Sequence, residues 1–126
     1  ATTNELYDNA ASSCLVSAMK YKKNVRTLTS GLADIMKLRP VGFEDKAQSK
    51  QHRGFIADEL VTVIPTAGYY TADGKINSYE PTEITATLVK AFQEIVARVI
   101  GLEGRMKANE DKIKNLEAIL LKNNIK

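Results

Sequence analysis

Apolar residues in the last third of the chain recur at alternating steps of four and three, with two asparagines in the series. Leu88, Phe92, Ile95, Val99, Leu102, Met106, Asn109, Ile113, Leu116, Leu120 and Asn123 form one unbroken stripe within Pro81 to Lys126. This is the heptad repeat of a coiled coil. Phe92, Val99, Met106, Ile113 and Leu120 take position a; Leu88, Ile95, Leu102, Asn109, Leu116 and Asn123 take position d. A lone helix cannot bury such a stripe, so the pattern predicts a long helix that meets partner chains. The g positions Arg98, Arg105 and Lys112 are basic, and the e positions Glu103, Glu110 and Glu117 are acidic. In a parallel coiled coil each g residue meets the following e residue of its neighbour, so all these pairs attract. An antiparallel arrangement sets like against like. The expectation is parallel, in-register self-association. Gly101 and Gly104 fall at c and f, where each costs about 1 kcal/mol of helix propensity without damaging the seam. Asn109 and Asn123 at d fix register at some cost in stability. The alternative is an amphipathic helix folded back on its own domain, for which the charge pattern would have no purpose.

Upstream, the pattern predicts short elements. Residues 1–15 carry a weak helical stripe of Leu6, Tyr7, Ala10, Ala11, Cys14 and Leu15, or are the tail of something upstream. Val16 to Arg26 has no clear period. Ser30 can cap a short helix through Leu38, with Leu32, Ile35 and Met36 inward, and Pro40 ends it. Val41 to Asp45 reads as a strand, Lys46 to Arg53 as a polar loop and Gly54 to Ala57 as a second strand, so the two can form a hairpin. Asp58 can cap a helix carrying Leu60, Val61, Val63 and Ile64, ended by Pro65. Tyr69–Thr71 and Lys75–Tyr79 flank Asp73-Gly74, a strong hairpin signal. Pro81, Thr82 and Glu83 open the long helix. The fold class is therefore α+β: a small globular part of short hairpins and short helices, then the long helix.

The chain has 126 residues, one cysteine, one histidine and a formal charge of +3. If the last 40 or so residues form a stalk, about 80 remain for the globular part, a marginal core that gains from oligomerisation. No apolar run is long enough to span a membrane, and the N-terminal stretch has no charged-then-apolar signal pattern. With Cys14 alone there is no intrachain disulfide and no thiolate cluster, and with His52 alone no multi-histidine zinc site. Cys14 reads as a small packed residue. No metal and no cofactor is called for. Lys20, Lys22, Lys23 and Arg26 form a basic cluster that could touch phosphates. No aromatic platform or nucleic-acid motif accompanies it, so it reads as solvated surface and nucleic acid is not the expected partner.

Several blocks then occur in a telling order. Ser17 and Lys22 stand in the basic segment. Leu38-Arg39-Pro40-Val41-Gly42-Phe43 follows, then Gly54-Phe55-Ile56-Ala57-Asp58-Glu59-Leu60 with Val63 and Pro65. Tyr79 leads into Leu88-Val89-Lys90-Ala91-Phe92-Gln93-Glu94 and the heptads. From Ser17 onward this resembles the intramolecular chaperone domain at the C-terminus of phage tail spikes, tail fibres and neck appendages: the peptidase S74 family of endosialidase-type chaperones.

The resemblance implies a homotrimer, and so a parallel trimeric coiled coil. It implies that the domain helps an upstream β-rich fibre or spike of the same polypeptide to fold, then cuts itself off. The implied cut is the Val16–Ser17 bond, with Ser17 as nucleophile and Lys22 as base. The implied division is 1–16 as the end of the passenger, 17–80 as the globular chaperone part and 81–126 as the coiled-coil helix. The setting would be the host cytoplasm during phage assembly, with the released domain absent from the mature virion. The chemistry is coherent, because a serine hydroxyl needs a base and a lysine can serve once its surroundings make it neutral. Lys20 and Lys23 are cationic neighbours that favour this. The family carries Asp directly after the serine, whereas this chain has Ala18. That departure bears on whether this chain cuts.

Two rivals follow. A permanent trimerisation foot on a fibre or adhesin needs the heptads but neither Ser17 nor Lys22. A basic oligomeric nucleic-acid binder predicts salt-sensitive DNA binding. The KAQSKQHR loop (Lys46 to Arg53) could reach along the passenger or be a solvated hairpin tip, and Tyr69 and Tyr70 read as core or trimer interface.

Overall fold

A computed structural model describes residues 17–29 and 31–124. The readings that fall on residues 1–16, on Ser30 as a cap and on 125–126 lie outside them. The described chain is α+β, with two separate two-stranded antiparallel hairpins and a long C-terminal helix. In order, a 3-10 turn spans Met19–Tyr21, α1 Leu32–Ile35, β1 Val41–Glu44, β2 Gln51–Gly54 and α2 Ala57–Val63. A second 3-10 turn, Pro65–Ala67, leads to β3 Gly68–Tyr70, β4 Ile76–Tyr79 and α3 Pro81–Asn124.

The first hairpin departs from expectation. β2 begins at Gln51, inside the stretch read as loop, and pairs Phe43 with His52 and Glu44 with Gln51. The Phe43 and His52 rings stack across the pair at 5.5 Å. Strand pairing satisfies backbone groups whatever the side chains, and both faces of this hairpin are largely open. Gln-His-Arg therefore forms a strand without apolar alternation. Asp45 closes the turn by accepting from the Ala47 and Gln48 amides at 2.7 and 3.0 Å. Ala57, read as a strand end, instead starts α2, whose N-cap is Ile56. Asp58 and Glu59 occupy its first turn, where the helix dipole favours acids. The second hairpin turns at Asp73-Gly74 as expected, with Gly74 at φ +81°.

α1 is shorter than expected, with Gly31 as its N-cap. Its position depends on α3. A Cβ on Gly31 would stand 2.5 Å from the Ala91 amide nitrogen, so only glycine permits this approach. The Leu32 amide donates to Glu94 Oε2 at 3.0 Å, giving the short helix a cap from α3.

The core is small. Leu60, Ile64 and Ala67 are buried, and Leu38, Phe55, Val63, Tyr79 and Ile84 pack around them. Phe55 and Tyr79 meet edge-to-face at 6.2 Å. The base of α3 is bonded to this core: the Glu80 amide donates to the Ala67 carbonyl at 2.7 Å and the Thr66 hydroxyl to Glu83 Oε2 at 2.8 Å.

α3 runs for 44 residues, about 66 Å at 1.5 Å per residue. Glu83, Ile84, Thr87, Lys90, Ala91 and Glu94 are its buried or half-buried positions, and they lie at f, g, c, f, g and c. The globular part thus covers the g–c–f side and leaves the a–d seam bare. From Ile95 to Asn124 every residue is exposed. The helix does not fold back on its own domain.

Candidate functional site

Ser17 and Lys22 flank the first 3-10 turn. The Tyr21 amide donates to the Ala18 carbonyl and the Lys22 amide to the Met19 carbonyl, both at 3.0 Å. Ala18 and Lys22 are extended on either side. The turn's hydrogen bonds reach Lys22 but not Ser17, which stands just before Ala18, and the two side chains share no hydrogen bond among the described residues. Both are exposed, as is every residue from 17 to 29. Lys20 lies with Nζ 4.9 Å from the Tyr21 ring centroid, a cation–π contact. A lysine base works best enclosed, and the single chain does not enclose Lys22. Val16, on the other side of the expected scissile bond, lies outside the described residues.

The two blocks that carry the family resemblance prove to be structural. Arg39 and Glu59 join them through a two-point contact, Arg39 Nε donating to Glu59 Oε2 at 3.1 Å and Nη2 to Oε1. The hydrogen bond from Arg39, and then its charge, hold the Glu59 carboxyl below the usual carboxylate range. The reciprocal bond raises the Arg39 guanidinium. Leu38 and Phe55 of the same blocks pack against the Leu60, Ile64 and Ala67 cluster. His52, read as part of a loop, is a strand residue on Phe43. Tyr69 is half-buried and its hydroxyl donates to Glu80, while Tyr70 is exposed.

The seam residues form the largest surface feature. Leu88, Phe92, Ile95, Val99, Leu102, Met106, Ile113, Leu116 and Leu120 are between 43% and 66% exposed. Asn109 and Asn123 are exposed between and beyond them. An apolar row of this length marks an interaction surface. Sequence reading restricted to a and d missed Val89 and Val96, which are apolar at e, and Ile100 at b. The signal was in the heptad itself, since e changes from valine to glutamate after Val96. Nothing local signalled Gly31 or Glu94.

Among the described residues no group of three or more histidine, cysteine or acidic residues could hold a metal ion, and no helix is long and apolar enough to cross a membrane.

Residues 17–69 match the model of the Peptidase_S74 family, described as chaperone of endosialidase. The family found is the one that the two sequence blocks resemble, and the match begins at Ser17. No curated protein matches the chain.

Proposed function

We propose that this chain is the chaperone and trimerisation module of a longer phage fibre or spike polypeptide. The observation that carries this reading is the bare a–d seam on a chain whose residues 17–69 match a chaperone family. Three copies of α3 bury their seams on one another, in parallel and in register. This brings the ends of three passenger chains together, turning a trimolecular encounter into an intramolecular one at effective concentrations on the order of millimolar. Intertwined β trimers fold slowly because their contacts are non-local, so a registered start matters. In this reading 17–80 is the globular chaperone part, 81–126 the trimerising helix, 1–16 the end of the passenger, and assembly takes place in the host cytoplasm.

Release follows by self-cleavage. Ser17 Oγ attacks the Val16 carbonyl carbon as Lys22 takes the hydroxyl proton. The C–N bond breaks as Lys22 returns the proton to the Ser17 nitrogen, which becomes the free amine, and Val16 is held as an ester on Ser17. Water hydrolyses the ester, leaving a Val16 carboxylate and restoring the serine hydroxyl. The passenger is then held kinetically. What supports this is the start of the family match at Ser17 and the short turn that lies between Ser17 and Lys22.

A second reading, a permanent trimerisation foot that does not cut, is favoured by Ala18 in place of the family aspartate. Intact mass separates the two in a chain extended into the passenger, beside Ser17→Ala, Lys22→Ala and Ala18→Asp versions. Cleavage at Val16–Ser17 that both alanine changes abolish supports the self-cleaving chaperone. Cleavage only with Ala18→Asp means the machinery is present but disabled. Four uncut trimers leave the permanent foot.

A further inference from the structure

The heptad arithmetic and the packing of α1 together define a second contact between protomers, beside the seam. It rests on the parallel, in-register assembly proposed above. Each g residue meets the e residue five positions on in the next chain. Along the bare half of α3 these pairs are charged: Arg98–Glu103, Arg105–Glu110 and Lys112–Glu117. Extended toward the N-terminus, the same series gives Ile84–Val89 and Ala91–Val96. The rule does not break there; its chemistry changes from charged to apolar.

The change coincides with the globular part. Ala91 is only 2% exposed because α1 lies against it, with Gly31 at the point of closest approach. Ala91 is therefore already covered at g, the position that meets Val96 of the next chain in a parallel, in-register assembly. Val96 is 40% exposed and Ile100, one turn on at b, is 63% exposed. α1 in turn has bare apolar groups at its flanks: Leu28 before it at 47% and Met36 after it at 75%. On the helix circumference the covered g–c side and the bare e–b side lie on opposite flanks of the seam. In a closed ring, the g side of each chain adjoins the e side of the next.

We infer that the α1 region of each protomer, through Leu28 and Met36, packs on the Val89–Val96–Ile100 strip of the next protomer's α3. The partner is a second copy of this chain. Each globular unit then bridges two helices, so the seam and the globular parts assemble together.

Two experiments on the full chain, in a Cys14→Ser background, test this. In the first, Met36→Cys and Val96→Cys are combined and treated with a short bis-maleimide. Sedimentation of the untreated sample is measured alongside. A denaturing gel is expected to show covalent trimers, with each single-cysteine chain giving dimers at most. Species of monomer size only, in a sample that sediments as a trimer, would overturn the contact and leave the proposed function standing. A sample that does not sediment as a trimer overturns both. In the second, Val96→Asp is expected to weaken assembly at least tenfold, while Ala97→Asp, at the outer f position, changes it by less than about twofold. Equal effects of the two changes would overturn the inference.

Discussion

α3 is one continuous helix with two histories of packing. Up to Glu94 it serves two masters: its g–c–f side is closed by α1, the second 3-10 turn and the core, while its a–d side is bare. From Ile95 to Asn124 every residue is exposed. The first half is held by intrachain contacts that any single chain can make. The second half is stable in water only marginally by itself, since isolated helices draw most of their stability from packing. The contrast separates a face that the chain's own contacts close from a face left bare, the one proposed above for assembly.

The largest expected effect is on the face proposed for assembly. Leu102→Asp with Leu116→Asp places two carboxylates per chain in the seam, well beyond the globular part. Sedimentation velocity is expected to show complete loss of the oligomer. Tyrosine near-ultraviolet signals from the globular part should survive at concentrations where the chain still folds. An oligomer that persists would mean that the a–d seam does not hold the chains together.

Next comes the folding face. Among the described residues Leu60 is the one large side chain that is fully buried, at 1% exposure. Leu60→Ala is expected to cost about 2–5 kcal/mol, a large fraction of what so small a core can supply. Denaturant unfolding followed by tyrosine signals should shift strongly, while the helical signal of the assembled tail persists. Concerted loss of both would show that the two regions are one cooperative unit.

Gly31→Ala acts where the two faces meet. The added methyl needs space occupied by the Ala91 amide and the Lys90 backbone. Overpacking of this kind costs about 1–3 kcal/mol, so a smaller shift than that of Leu60→Ala is expected. Amide exchange should rise at Leu32, whose N–H is held by Glu94. Unchanged protection there would mean that α1 is not fixed by its contact with α3.

What could be read from the sequence follows the same division. The bare half of α3 was legible because its pattern is long, periodic and local. Asp73-Gly74 likewise announced the second hairpin, because a turn depends on its own residues. β2 was hidden because Gln51, His52 and Arg53 pair through the backbone, on a hairpin too open to require apolar alternation. The length of α1 was hidden because its cap comes from Glu94, 62 residues away. The blocks around Arg39 and Glu59 were visible as a resemblance, but their role in joining α2 to the segment between α1 and β1 emerged only from the contact. Ser17 and Lys22 were named through the family, and the fold adds a short turn between them, with Lys22 as its C-cap and Ser17 just before its N-cap Ala18.

The smallest expected effect concerns that Arg39–Glu59 link, which belongs wholly to the folding face. Arg39 holds the folded-state pKa of Glu59 below its unfolded value, first by hydrogen bonding and then by charge. The linkage sign follows: a depressed carboxyl contributes stability above its unfolded pKa and loses it as pH falls through the folded pKa. The raised guanidinium of Arg39 stays charged throughout this range, so the acid loss is set by Glu59. Both side chains are substantially exposed, at 62% and 45%, so water and salt screen the pair and the effect is modest. Denaturant midpoints of the parent and Glu59→Gln should differ slightly at pH 7 and converge below the carboxylate range. Assembly through the bare half of α3 should be the same in both. If the difference between the two chains is independent of pH, the link contributes through packing rather than charge. If Glu59→Gln instead alters sedimentation, the folding and assembly faces are coupled through α2, and the separation drawn between the two halves of α3 would fail.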